Sequence, residues 1–284
     1  MKGPMPIAGV MGWPARQSLS PRLHGFWLKE HGIDGAFVPL PTRPEDLSTA
    51  LRGLRVAGFR GVNVTVPHKE AAFALADRLD PVARAAGAVN LLVFRGGGME
   101  GFNTDVFGLA ASLAETLGDA ALRGKPAVLL GAGGAARAAV LALDSLSVNE
   151  IRILNRHRGR GEALAAALAP VAKAKLSAAG LEGWSKAAGD AALVVNATSA
   201  GMKDTPSLDL DLETLPKDAA VCDIVYNPLE TDLLKRAKCA GLRTIDGLGM
   251  LMHQAVPSFA AFFGLTPKVT PALRVELEKA LADG

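Results

Sequence analysis

Asn63, Thr65 and Lys69 stand close together in the stretch Gly61-Val62-Asn63-Val64-Thr65-Val66-Pro67-His68-Lys69. Read as a strand over 61–67, it puts Asn63 and Thr65 on one face and Val62, Val64 and Val66 on the other. Lys69 follows at the mouth of a helix, at the edge where α/β folds place catalytic groups. Two neutral hydrogen-bonding groups and an ammonium can therefore meet one polyhydroxylated small molecule. A lysine taken alone reads as well as a solvated cap on a buried edge strand. The rest of the chain has to decide between the two.

A second constellation is Gly131-Ala132-Gly133-Gly134-Ala135-Ala136, which follows the apolar Ala127-Val128-Leu129-Leu130 and opens an alanine-rich helix. A glycine fingerprint carries weight when strand and helix flank it, as here. Gly131 permits the tight turn, Gly133 lets backbone approach a pyrophosphate, and Ala136 allows close helix packing. The helix N-terminus offers free N–H groups to the anion. An NAD site places a carboxylate after the next strand for the ribose hydroxyls. This chain has Asn155-Arg156-His157-Arg158-Gly159-Arg160 there. Guanidinium groups pair with a 2′-phosphate, which favours NADP. The bland alternative, a solvated basic helix start, opposes the helix dipole.

The elements behind these residues alternate strand and helix, which argues for α/β sheets, mainly parallel. Expected strands are Ile7–Met11, Ala36–Leu40, 61–67, Pro126–Leu130, Ile151–Leu154, Ala192–Val195, Val221–Val225 and Leu242–Ile245, with a hairpin over Gly96-Gly97-Gly98. Expected helices include one capped by Ser20 with Pro21 behind it. Others carry the stripes Leu47/Ala50/Leu51/Leu54, Ala72/Leu75/Ala76/Leu79 and Leu248/Leu251/Met252/Ala255. A long helix from about Thr104 carries Val106, Leu109, Ala110 and Leu113, and a last helix is capped by Thr270 before Pro271. A length of 284 residues suits two domains, and 49% hydrophobic residues can fill two cores. The expected division is a substrate and catalytic domain over 1–104, completed by 247–284, and a cofactor-binding Rossmann-like domain over 105–246.

Net charge is +3 with mixed signs and no long basic stripe, which speaks against nucleic acid as a partner. No uncharged apolar run reaches about 18 residues, so no membrane span is expected. Met1-Lys2-Gly3-Pro4 lacks a leader's apolar run. The scattered histidines imply no metal. Cys222 and Cys239 have no ligand or redox spacing and fit a reducing cytoplasm.

Taken in order, the motifs resemble the shikimate dehydrogenase family over nearly the whole chain. Gly12-Trp13-Pro14 leads to Ser18-Leu19-Ser20-Pro21-Arg22-Leu23-His24, similar to the family's substrate-binding serine loop. Asn63 to Lys69 is similar to its catalytic lysine motif. Gly87-Ala88-Val89-Asn90, Gly101-Phe102-Asn103-Thr104-Asp105, the glycine loop, Asn155-Arg156 and Asn196-Ala197-Thr198-Ser199-Ala200-Gly201-Met202 follow. Asp223-Ile224-Val225-Tyr226-Asn227-Pro228, Gly247-Leu248-Gly249-Met250-Leu251 and Gln254 complete the set.

The resemblance implies reversible NADPH-dependent reduction of 3-dehydroshikimate to shikimate, in two domains with a cleft between them and without a metal. Lys69 and Asp105 would be catalytic, although Asp105 also reads as a charge at a helix start. Ser18, Ser20, Asn63, Thr65, Asn90, Tyr226 and Gln254 would meet the substrate. Ser20 competes as a helix cap and Ser18 has no other task. Tyr226 also reads as structural, and His68 as a packing residue. Gly131, Ala132, Gly133, Gly134, Ala135, Asn155, Arg156, Arg160, Thr198, Ile224, Gly247 and Met250 would line the NADP. Gly25 and Leu91 stand where the family often has Asn and Thr, which puts substrate-loop packing in question. Quinate or an amino-shikimate as substrate, and a non-catalytic NADP-sensing module, are the alternatives. A monomer and a homodimer both fit.

Overall fold

The computed structural model describes residues 5–15 and 18–283. The leader reading of Met1–Pro4 lies outside them. The chain divides into two compact units, Met1–Thr104 with Gln254–Gly284, and Asp105–His253.

The first unit is built on a six-stranded mixed sheet. Its elements are β1 (Ile7–Gly12), α1 (Ser20–Glu30), β2 (Ala36–Pro41), α2 (Leu47–Val56), β3 (Gly61–Val64), α3 (Lys69–Leu75), β4 (Arg78–Leu79), α4 (Pro81–Ala86), β5 (Leu91–Arg95) and β6 (Gly98–Phe102). The order is β2-β1-β3-β5-β6-β4. The pairs β1–β2, β1–β3 and β4–β6 are parallel, while β3–β5 and β5–β6 are antiparallel. The β5–β6 pair is the hairpin that the three glycines permit.

Three local expectations fail here. β3 stops at Val64 rather than running to Pro67, and Val66 is 69% exposed instead of joining the apolar face. Thr65 keeps a ladder bond from its N–H to the Met11 carbonyl (2.9 Å) but lies in the turn. Proline brings no N–H to continue the ladder. α3 ends at Leu75, and Leu79 sits in β4 instead of on its stripe. Ser20 is the first helical residue of α1 and not its cap; Leu19 precedes it with no side-chain cap bond.

The second unit carries a parallel sheet throughout. It contains α5 (Asp105–Leu117), β7 (Pro126–Leu130), α6 (Gly134–Ser145), β8 (Glu150–Leu154), α7 (Arg158–Leu168), β9 (Lys175–Ala179), α8 (Trp184–Ala188), β10 (Leu193–Asn196), β11 (Ala220–Asp223), α9 (Asp232–Cys239) and β12 (Arg243–Ile245). The order β12-β11-β10-β7-β8-β9 is that of a doubly wound dinucleotide-binding sheet. Its central strands are continuous apolar runs because helices cover both faces: Ala127, Val128, Leu129 and Leu130 are each 0% exposed. β9 has no such run. It is an edge strand, half-exposed along most of its length, and it went unanticipated.

α10 (Gly247–Phe263) starts in the second unit and ends in the first. Gly247–His253 were expected with the first. They group with the second because Met250 joins the core of Leu109, Leu113, Leu129 and Ile245. From Gln254 on, α10 and α11 (Pro271–Ala282) complete the first unit. Thr270 caps α11 as expected, its hydroxyl accepting from the Leu273 N–H at 3.3 Å. Phe262 packs with Ala8, Val10, Phe37, Leu91 and Val93. Trp27 Nε1 donates to the Lys268 carbonyl at 3.1 Å. His24 lies in this aromatic core, stacked on Phe37 with centroids 3.9 Å apart. Among the described residues both its ring nitrogens are buried without a partner, and burial pushes its pKa down to about 3.

Candidate active site

In the first unit the polar residues gather around Asn90. Asn63 Nδ2 donates to the Asn90 carbonyl (3.2 Å) and to Ser258 Oγ (2.8 Å). Asn90 Nδ2 donates to Gln254 Oε1 (3.2 Å) and to Thr104 Oγ1 (2.9 Å). Asn90 Oδ1 accepts from the Thr104 N–H at 2.7 Å. Three residues expected at the substrate thus share one hydrogen-bonded cluster, set at the ends of β3 and β5 and on α10. Ser258, fully buried, was not foreseen. Its position on α10, one turn after Gln254, was the available signal.

Lys69 opens α3, and its carbonyl accepts from the Val89 N–H at 3.0 Å, one residue before Asn90. The turn leading to it is fixed from both sides. The His68 N–H bonds the Thr65 carbonyl (2.9 Å), and His68 Nε2 donates to the Thr42 carbonyl at 2.8 Å. His68 is buried and serves packing, as the sequence suggests. Ser18 has a task after all: its Oγ accepts from the Ser20 N–H at 3.3 Å. Ser18, expected to have no other task, thus has one, and Ser20 does not have the capping task expected of it. Gly25 lies exposed on α1 with open space where a Cβ would stand, and Leu91 points into the core. Neither departure disturbs the cluster around Asn90.

In the second unit the expected cofactor residues collect at the C-terminal ends of the strands. The loop Gly131–Ala135 joins β7 to α6 beside β10, where the strand order reverses, the usual place for a dinucleotide. Gly131 has φ +114°, and a Cβ on it would press on the Ala197 carbonyl oxygen at 3.0 Å and Thr198 Cγ2 at 3.1 Å. Only glycine turns there without strain. Gly133 precedes the first turn of α6, and a Cβ there would meet nothing within 4 Å. Backbone can approach closely there, and the N-terminus of α6 begins at the next residue, which suits a pyrophosphate.

Asn155 follows β8, its Nδ2 donating to the His157 carbonyl at 2.9 Å. Arg156 and Arg160 are exposed beside it. Arg158 instead pairs along α7 with Glu162 at 2.8 Å. Arg156 and Arg160, with no carboxylate at the strand end, fit the 2′-phosphate of NADP. Ile224 follows β11 and packs on the core that holds Met250, while Gly247 abuts the Ile224 carbonyl. Tyr226 comes two residues later, half-buried. Asp105 is the first residue of α5, so the helix-start reading holds for it. Cys222 is buried, and burial, aided by the charges of Asp223 and Asp246, raises its thiol pKa, which keeps it protonated and inert.

Residues 10–92 match the profile described as the shikimate dehydrogenase substrate binding domain, and residues 112–206 the one described as shikimate / quinate 5-dehydrogenase. The shikimate dehydrogenase (NADP(+)) of Paramagnetospirillum magneticum is 52% identical over 96% of this chain and 98% of its own length. The chain belongs to the shikimate dehydrogenase family. Its fold is that of the family's solved structures. The Thermus thermophilus shikimate 5-dehydrogenase, solved with NADP(H) and shikimate, superposes with a TM-score of 0.84 at 36% identity, over 98% of this chain and 99% of that one. A quinate dehydrogenase from Corynebacterium glutamicum, solved with NAD, superposes at 0.88 with 33% identity, over 97% and 99%. Backbone likeness alone therefore does not separate the two substrates. Among the described residues no helix is long and apolar enough to cross a membrane.

Proposed function

We propose that this chain is an NADP-dependent oxidoreductase that interconverts 3-dehydroshikimate and shikimate in aromatic amino-acid biosynthesis. The observation that carries the reading is near-full-length identity of about half to relatives named shikimate dehydrogenase (NADP(+)). The first unit is the substrate unit and the second the NADP unit. The hydroxyl-binding cluster of Asn63, Asn90 and Gln254, with Thr65, Ser18, Ser20 and Tyr226, orients the ring and its carboxylate. Gly131 to Ala135 hold the pyrophosphate, and Asn155, Arg156 and Arg160 the adenosine end. Thr198, Ile224, Gly247 and Met250 line the remainder. Bound NADPH supplies the hydride.

Reduction of a ketone leaves oxygen charge that must be neutralised as it forms. Lys69, as an ammonium, donates that proton and takes it back in the reverse direction. Asp105 orients the lysine or the substrate hydroxyl. Free thiols at Cys222 and Cys239 support a cytoplasmic location.

The test is absorbance of NADPH with purified protein, supplying NADP or NAD against shikimate or quinate. Fastest turnover with NADP and shikimate is expected. Preference for quinate would assign the chain to a sister activity. No turnover from folded, NADP-binding protein would overturn the enzyme reading in favour of a sensor.

A further inference from the structure

The C-terminal edge of the second sheet carries a carboxylate that the roles above leave unused. Asp223 ends β11 and is the register partner of Asn196, which ends β10. Both are buried. Asp223 Oδ1 accepts from Asn196 Nδ2 (3.0 Å) and from the Val225 N–H (3.0 Å). Its Oδ2 accepts from Thr231 Oγ1 at 2.8 Å. Asn196 passes the connection on. Its Oδ1 accepts from the Thr198 N–H (3.1 Å) and hydroxyl (2.7 Å), and its Nδ2 also donates to the Ala200 carbonyl (3.2 Å). The Thr198 hydroxyl closes its own turn by accepting from the Ala200 N–H at 3.0 Å.

One side chain therefore ties two loops together. The 196–200 turn presents Thr198, and the 223–231 segment presents Ile224 and Tyr226. We infer that Asp223 is a positioning residue for the reaction, fixing the spacing between the loop that meets the cofactor and the segment that meets cofactor and substrate. The inference rests on the roles proposed for Thr198, Ile224 and Tyr226. The charge is what the geometry needs. Donors from Asn196, Val225 and Thr231 converge on the two oxygens, and a neutral amide would offer one acceptor oxygen to all of them. Burial raises the carboxyl pKa while the same hydrogen bonds hold it down, so the group is costly to keep and is retained with every donor engaged. Thr231 is itself anchored as the cap of α9, its Oγ1 accepting from the Leu234 N–H at 3.3 Å. The clasp is thus fixed to a helix and to two strands.

The test uses the full chain with Asp223→Asn, Thr231→Val and Thr231→Ser, read by NADPH fluorescence binding and by steady-state kinetics well below the melting temperature. Asp223→Asn and Thr231→Val are expected to raise the NADPH Kd about 10-fold and to lower kcat by up to ~10²-fold, the scale of a misplacement near 1 Å. Thr231→Ser, which keeps the hydroxyl, is expected to restore both. Folded variants with a lowered melting temperature but unchanged Kd and kcat would overturn the inference, as would Thr231→Ser behaving like Thr231→Val. Should Asp223→Asn fail to fold, Thr231→Val carries the test, being nearly the same shape. A wild-type protein without shikimate turnover would defeat the proposed function alone, because the NADPH Kd still reads the clasp.

Discussion

Replacing His24 by Phe should flatten the acid side of the stability curve of the unit that contains it. The imidazole is fully buried, has no hydrogen-bond partner among the described residues and lies parallel to Phe37 at an interplanar angle of 3°. Its pKa is about 3 in the folded chain against 6.5 unfolded, through desolvation alone. The sign follows from which state binds the proton. Above pH 6.5 neither state does, and the full stability is present. As pH falls, the unfolded chain takes up a proton that the folded chain refuses, so stability drains away until pH approaches 3. One pH unit costs about 1.4 kcal/mol, so the loss by pH 5 is about 2 kcal/mol. A phenylalanine keeps the stacked ring and has nothing to protonate. At neutral pH its net effect mixes relief of two unpartnered nitrogens with the cost of a bulkier ring, each about 1–3 kcal/mol. The informative quantity is therefore the difference between pH 7 and pH 5, measured by urea unfolding of both proteins. Wild type should lose about 2 kcal/mol more than His24→Phe, since every other titrating group cancels in the comparison. Equal losses in the two proteins would refute the account of a neutral, buried imidazole.

Three further outcomes are expected. Lys69→Ala should lower kcat by about 10²–10⁴-fold, the usual worth of a positioned proton donor, while NADPH still binds; retained turnover in the folded variant would remove Lys69 from its role. Arg156→Ala combined with Arg160→Ala should weaken NADPH by about 10-fold or more, the scale of one lost charge-assisted hydrogen bond, and leave NADH unaffected. Isothermal titration with both cofactors decides this, and an equal effect on both would place the 2′-phosphate elsewhere. Gly249→Ala should destabilise by about 1–3 kcal/mol, because its Cβ would strike Ser112 Oγ. Adding Ser112→Ala should recover part of that loss in denaturant melts, and strictly additive losses would contradict the contact.

Much of this was legible in the sequence, and the misses have physical causes. The parallel strands of the second unit announced themselves because burial on both faces demands uninterrupted apolar runs such as Val194-Val195. β9 escaped because an edge strand needs no such run. The cofactor loop was readable because a glycine run between an apolar strand and an alanine-rich helix shows in one dimension, and Gly131 there answers a steric demand. Ser20 was misplaced as a cap because it follows the N-cap position, which sequence places only to within a residue or two. Of the three arginines, only Arg158 has a glutamate four residues on, and that pairing could have been read. His24 was beyond reach: its environment is assembled from Phe37 and Phe259, distant in sequence.

The discontinuity of the first unit bears on how the chain is made. Its sheet is complete by Phe102, yet Phe259, Phe262, Leu273 and Leu277, all but fully buried, arrive only after the whole of 105–253 has been synthesised. On a ribosome that emits about 5–20 residues per second, the earlier segment waits roughly 10–30 seconds with an uncovered aromatic surface around His24, Trp27 and Phe37. The NADP unit, contiguous in sequence, can close first. The fold therefore has a built-in order, in which the part made first is finished last, and the interval between is when the nascent chain has most need of a chaperone.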